Sequence, residues 1–238
     1  MAKRNAKSKA PNLRRSPLRW GLRWVFRGAL AVAAFFVVLV LLFRFVNPPT
    51  TFYMWQEGQR LGGVKQDWVA LEDVAPVMPR SLVAAEDANF CLHWGFDMGA
   101  IRAAIDEGSA RGASTLSQQV VKNVFLWHGR NYTRKALEAL ITPVVETFWS
   151  KRRILEVYLN VVEFDEGVFG VQAAAAHYFG VEPRDLTSVQ AARLASVLPD
   201  PKDRNAANPP PGLRKQSARI LDGAETIRRD GRAACFDP

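Results

Sequence analysis

Four stretches of this 238-residue chain concentrate side chains that could do chemistry. Glu86 to His93 reads E-D-A-N-F-C-L-H, and Gly112 to Asn123 reads G-A-S-T-L-S-Q-Q-V-V-K-N. Arg134 to Glu138 reads R-K-A-L-E, and Lys151 to Asn160 reads K-R-R-I-L-E-V-Y-L-N. Carboxylates such as Glu86 and Glu138 are the side chains of general acid–base catalysis. Cations such as Lys122, Arg130, Arg134 and Lys135 can stabilise negative charge that develops in a transition state. Taken singly, each cluster also has an ordinary structural reading. Glu86 and Asp87 can be solvated acids on a helix. Arg134 and Glu138 stand at i and i+4, the spacing of a surface ion pair. Ser114 can cap a helix, Gln118 and Gln119 can be polar surface, and Ile154, Leu155, Tyr158 and Leu159 can be core.

The charge around these clusters limits the kind of partner. The formal net charge is +9, with 32 basic and 23 acidic residues. Lys3, Arg4, Lys7, Lys9, Arg14, Arg15, Arg19, Arg23, Arg27 and Arg44 all precede the first acid, Glu57. Removing those ten leaves 22 basic residues against 23 acidic, so the rest of the chain is nearly neutral and a nucleic-acid surface is not expected. Between Arg27 and Arg44 runs G-A-L-A-V-A-A-F-F-V-V-L-V-L-L-F, which Val25, Phe26, Phe45 and Val46 extend to the ~20 residues of a membrane span. Trp20 and Trp24 stand where interfacial aromatics lie. A cleaved signal peptide is the competing reading, but Phe43 to Pro49 offers no small-residue cleavage site. The expectation is a basic tail over residues 1–24, a transmembrane helix over 25–46, a polar linker over 47–66 and a single catalytic domain over 67–238. The excess of cations before the span places the N-terminus in the cytoplasm and the domain outside.

The elements that must position the clusters read as helices. Pro79 can open one that carries Leu82, Val83 and Glu86, and Asp97 can cap another through Ile101 and Ile105. Ser114 is expected to begin a helix with Leu116, Val120 and Val121 inward. Leu137 to Phe148 marks a longer one interrupted by Pro143. Ser150 can cap the next, Thr187 with Gln190 makes a capping box, and an amphipathic stretch runs from about Gly212 to Arg229. Trp68 to Leu71 is the best candidate for a short strand, so the class is mainly α. His93, His128 and His177 have no metal-ligand spacing among themselves. Cys91 and Cys235 are the only cysteines; the compartment permits a bridge without requiring one, and Cys91 is read as a small packed residue with a free thiol.

The order and content of the four blocks resemble the glycosyltransferase domain of the peptidoglycan polymerases, most closely the monofunctional, membrane-anchored members (glycosyltransferase family 51). The blocks match E-D-x-x-F-x-x-H, G-x-S-T-x-x-Q-Q-x-x-K-N, R-K-x-x-E and K-x-x-I-L-E-x-Y-L-N, and G-V-F-G-V-Q-A-A-A-A-H-Y-F-G follows at Gly167 to Gly180. The resemblance covers roughly residues 74–209. It implies a mainly α, lysozyme-like bilobal domain, with a head and a membrane-proximal jaw, behind one N-terminal transmembrane helix. It also implies polymerisation of lipid II into β-1,4-linked glycan with inversion and release of undecaprenyl diphosphate.

By match to the family motifs, Glu86 is the general base and Glu138 the second essential carboxylate. Arg102, Ser114, Thr115, Gln118, Gln119, Lys122, Arg130, Arg134 and Lys135 bind substrate. Asp87 tunes or orients Glu86. A divalent cation, Mg or Mn, is expected without a dedicated protein site. Partners are lipid II, the nascent strand, the membrane, and division or elongation proteins; the compartment is the inner membrane. No Ser-x-x-Lys or Lys-Thr-Gly motif suggests transpeptidation. Val124 to Trp127, beside the phosphate site, reads equally as core or as a jaw that dips into the bilayer. Phe164-Asp165-Glu166 replaces the usual aromatic-glycine pair, so the loop before Gly167 is expected to be reshaped. A lysozyme-like lytic enzyme and an inactive scaffold are the competing functions.

Overall fold

Helical periodicity and well-placed caps set the architecture of the structure, a computed structural model that describes residues 17–106, 108, 114–129 and 131–237. Contacts divide the chain into a unit ending at Leu39 and a unit running from Val40. The first unit is most of helix α1 (Pro17–Phe43). Within it, Arg19–Phe43 is 25 residues, long and apolar enough to cross a membrane. The aromatic pair Trp20 and Trp24 lies at its start, with centroids 6.1 Å apart.

In the second unit the expected polar linker holds a helix, α2 (Phe52–Leu61). The Thr51 hydroxyl caps it by accepting from Met54 N, and Gly62 closes it in the left-handed region. The remaining helices are α3 (Val77–Glu86), α4 (Met98–Asp106), α5 (Leu116–Phe125), α6 (Tyr132–Phe148) and α7 (Lys151–Val161), then α8 (Gly170–Phe179), α9 (Ser188–Val197) and α10 (Pro211–Arg229). The expected caps form at Asp97, Ser150 and Thr187, and Pro143 lies inside α6 without ending it. Ser114 is not a cap. Thr115 is, one residue later, in a capping box with Gln118.

Two packed groups of helices frame the site. Helices α3, α9 and α10 pack together through small residues, with Ala192, Ala195 and Ile220 buried against Ala85 and Leu221. A Cβ on Gly223 of α10 would lie 3.2 Å from the Ala84 Cβ, so α10 comes very close to the helix that ends in Glu86. Helices α5, α6 and α7 bury Leu116, Val120, Val121, Val145, Ile154 and Leu155.

Strand content is minimal and not where the pattern placed it. β1 (Lys65–Gln66) pairs in parallel with β3 (Val168–Phe169), which pairs antiparallel with β2 (Glu163–Asp165). Trp68 to Leu71 is not a strand because a side chain takes the place of a neighbouring strand. Asn160 accepts from Val69 N at 2.8 Å and donates to Val69 O at 2.9 Å. The loop before Gly167 is a tight turn between β2 and β3, with Phe164 buried. Gly170 begins α8 at φ +81°, and an added Cβ would stand 2.9 Å from the Asn160 carbonyl oxygen. Gly170→Ala is therefore expected to destabilise the fold by about 2 kcal/mol, read as a lowered thermal midpoint.

Cys91 and Cys235, 144 residues apart, form a disulfide. The free thiol expected at Cys91 is thus corrected: α10 returns the end of the chain to the loop after α3, a proximity that sequence separation conceals.

Candidate active site

Glu86 is the last residue of α3, where Asp87 leaves helical geometry after its N–H bonds to Val83 O. The change of direction presents the two acids differently. Asp87 is buried and spans two elements, with Oδ2 accepting from Leu116 N at the start of α5 at 3.0 Å and Oδ1 2.9 Å from His93 Nε2. It thereby locks the end of α3 to the beginning of α5. Glu86 is half-buried, and its Oε2 accepts from Gln119 Nε2 at 2.9 Å. Gln119 is held in turn by the buried Tyr158 hydroxyl, which donates to its Oε1 at 2.9 Å. Burial pushes the Glu86 carboxyl above its ordinary value of 4.5, and Asp87 reinforces this; the Gln119 bond, Lys122 and Arg204 oppose it.

The capping box turns α5 so that Leu116, Val120 and Val121 face the core while Gln119 and Lys122 line a cavity of about 380 Å³. Asn123, His128, Tyr53 and Lys202 line the same cavity. The Lys122 side chain makes no hydrogen bond or ion pair among the described residues. Its ammonium is destabilised chiefly by burial, and the charges of Glu138 and Glu86 work against that shift. It therefore stands in the field of both carboxylates.

Glu138 lies in the second turn of α6 with 2% of its surface exposed. Arg134 Nη1 donates to Oε2 at 2.7 Å, and Lys135 Nζ donates to Oε1. Lys135 also reaches Ser114 Oγ at 3.1 Å, so Ser114, Arg134, Lys135 and Glu138 form one network. The surface-pair reading of Arg134 and Glu138 does not hold, because the carboxylate is buried and carries two cations.

The other proposed contacts divide. Gln119 and Lys122 enter the cleft. Thr115 and Gln118 are buried in the capping box, and the Thr115 hydroxyl donates to Gly95 O at 2.7 Å. Their side chains hold α5 in place. Arg102 is exposed on α4 and makes no hydrogen bond or ion pair with another described residue. Arg130 lies outside the described residues.

A second pocket of about 270 Å³ opens at the α3 terminus, lined by Glu86, Asp87, Asn89, Asp97, Ser114 and Thr115. Glu86 borders this pocket, and its partner Gln119 borders the larger one. A carboxylate between two openings, with cations beyond one of them, can deprotonate a group on one side while charge is stabilised on the other.

Some of the surroundings were not legible from the motifs. Tyr158, read as core, is core by burial but also holds Gln119. At the far end of the larger cavity Tyr53 donates to Glu163 at 2.7 Å, stacks on His128 at 3.7 Å, and lies beneath the Lys202 ammonium. Burial pushes His128 down to about 4, so it is neutral near pH 7. Asn123 Oδ1 and His128 Nδ1 are buried there without a hydrogen-bond partner among the described residues. In Val124 to Trp127, Leu126 is buried and the other three are partly exposed, and Phe125 lies about 6 Å from both Phe43 and Trp149. Large exposed apolar side chains include Leu92, Trp94, Met98 and Ile105, Leu140 on α6, and Phe52 and Trp55 on α2.

Among the described residues, no group of three or more His, Cys, Asp or Glu side chains is placed to hold a metal ion. Glu138, the carboxylate nearest the cations, has both oxygens engaged by them. Among the described residues no metal cage is formed.

This geometry sets a carboxylate at a pocket and a buried lysine in the field of two carboxylates on a mainly helical frame, an arrangement suited to a group-transfer enzyme. The family model described as Transglycosylase matches residues 56–225, and the chain belongs to that family. Its architecture is consistent with the lysozyme-like fold. A biosynthetic peptidoglycan transglycosylase of Jannaschia sp. (strain CCS1) is 56% identical over 237 residues, covering 99% of both chains. One of Caulobacter vibrioides is 45% identical, covering 84% of this chain and 89% of that protein. One of Pseudomonas fluorescens (strain SBW25) is 46% identical, covering 88% and 93%.

Proposed function

We infer that this enzyme is a peptidoglycan glycosyltransferase that polymerises lipid II, with Glu86 as base and the Lys122–Arg134–Lys135 group on the leaving-group side. The observation that carries the reading is Lys122, whose side chain lines the cleft without a partner among the described residues and in the field of both carboxylates. The 4-hydroxyl of the acceptor sugar enters from the smaller pocket and attacks the anomeric carbon. Its proton passes to Glu86 as the new C–O bond forms. The bond to the pyrophosphate oxygen breaks on the opposite face with its electron pair, which inverts the anomeric centre. The departing charge is met by Lys122 and by the cations that Glu138 holds, with Arg130 added by its motif position. A pyrophosphate brings its own oxygen ligands, so a divalent cation would arrive with the substrate.

The orientation follows the charge: a cytoplasmic basic tail, an uncleaved inner-membrane anchor and an external catalytic unit. The Cys91–Cys235 disulfide suits an oxidising compartment outside the cytoplasm. Leu92, Trp94, Met98 and Ile105, with Phe52 and Trp55 of α2, are exposed apolar side chains that suit the outer leaflet.

The test is purified protein with lipid-linked disaccharide-pentapeptide, followed across pH with and without chelator. The expected product is glycan strands. Glu86 must be ionised to act and its carboxyl is raised, so turnover climbs with pH along an acidic limb above the ordinary glutamate value. The same shift has the opposite sign for folding: stability falls as pH rises from the unfolded value through the folded one, because the buried group resists ionising. Cleavage of preformed glycan without polymer would assign the chain to lytic chemistry. Loss of polymer on chelation, restored by Mg or Mn, would establish the divalent requirement.

A further inference from the structure

The family match ends at residue 225, yet the residues beyond it reach back to the catalytic loop. Cys235 is bonded to Cys91, five residues after Glu86. Phe236 is buried with its ring 6.4 Å from that of Phe90, itself fully buried. Arg232 Nη1 donates to Ala88 O at 3.3 Å, and Asp237 pairs with Arg80 of α3 at 3.0 Å. Five consecutive positions of the catalytic loop, 87–91, thus include three that the tail touches directly, and Asp87 is the one that locks α3 to α5. The loop is also a wall of the smaller pocket, where Glu86, Asp87, Ala88 and Asn89 are neighbours.

We propose that residues 230–237 are a positioning clasp, closed by the Cys91–Cys235 disulfide, which fixes the acceptor-side wall and the direction of Glu86. The proposal rests on the reading of Glu86 as base. None of the tail residues touches the reacting atoms; they act through the loop. Closure makes full turnover conditional on oxidation of the two thiols, which loses two electrons and two protons to a disulfide-donating oxidant of the external compartment. Without that oxidation the chain would fold around the same core with the wall loose.

The test compares oxidised full-length protein with protein treated with dithiothreitol, with the Cys91→Ser/Cys235→Ser double variant, and with Arg232→Ala, in which the bridge remains. Reduction returns two electrons and two protons to the sulfurs and is expected to lower kcat/KM on the order of tenfold, the scale of a misplaced catalytic group. The acidic limb should move down toward the ordinary glutamate value as water reaches Glu86. The double variant should match the reduced protein and ignore dithiothreitol, and Arg232→Ala should move the limb the same way by less. The pH limb separates positioning from bulk stability, since a loss of folded protein lowers amplitude without shifting it.

The idea fails if reduced and double-variant proteins keep the oxidised rate and limb. It fails equally if activity only tracks the unfolded fraction while Arg232→Ala leaves the limb in place. An oxidised protein that makes no polymer would instead overturn the functional reading itself.

Discussion

Glu86→Gln is expected to abolish glycan polymerisation while the protein melts at the wild-type temperature or slightly above it. General-base catalysis contributes roughly 10²- to 10⁴-fold, and a glutamine of the same shape has no basic oxygen to take the acceptor proton. The stability half of the expectation follows from the direction of the Glu86 shift. Burial disfavours the ionised carboxylate, so at neutral pH the folded state carries a cost that a neutral amide removes. Gln119 is positioned to bond either side chain, so the local geometry survives. Activity and stability should therefore move in opposite directions, as when a site retains a group for function at the expense of folding. Residual polymerisation within tenfold of wild type would remove Glu86 from the base role, whatever the melting temperature.

What the sequence revealed and concealed follows from the range of the interactions. Local signals were reliable where one side chain closes on backbone three residues away, as at Asp97, Ser150 and Thr187. The same logic slipped by one residue at α5, where Ser114 and Thr115 are both cap formers and the choice is made by Gln118 reaching back. The box engages the Thr115 hydroxyl and Gln118 Oε1, two of the groups that the motif match offers to substrate. α2 was hidden by the double proline before it, although Thr51 and Gly62 bracket it with ordinary cap chemistry.

The remaining misses depend on distant residues. Asn160 supplies strand-like partners to Val69 across 91 residues, and the disulfide spans 144. The four motif blocks could place Glu86 and Glu138 in a family order, but not show that Tyr158 steadies Gln119 or that Asp87 is spent on the start of α5. Such relays join side chains whose sequence neighbours carry no trace of the partner.

Glu138→Gln should separate the two carboxylates by costing stability as well as turnover. Both Glu138 oxygens are bonded to cations, one of them the mostly buried Arg134, and the carboxylate is 2% exposed. Removing its charge leaves Arg134 without its partner and strips the field that favours Lys122. Breaking one side of a buried pair typically costs 3–5 kcal/mol, and the half-exposed Lys135 is screened, so about 3 kcal/mol is expected here. For a chain of this size that is a fall of roughly 6–12 °C in melting temperature. Glu138→Asp, which keeps the charge but shortens the reach, should recover part of both losses. On the proposed function the cause is the same for stability and rate: the carboxylate assembles the cations that would meet the pyrophosphate. A Glu138→Gln protein that melts like wild type but makes no polymer would reverse this assignment. In that case the carboxylate would act on the leaving oxygen directly, and the cations would hold their places without it.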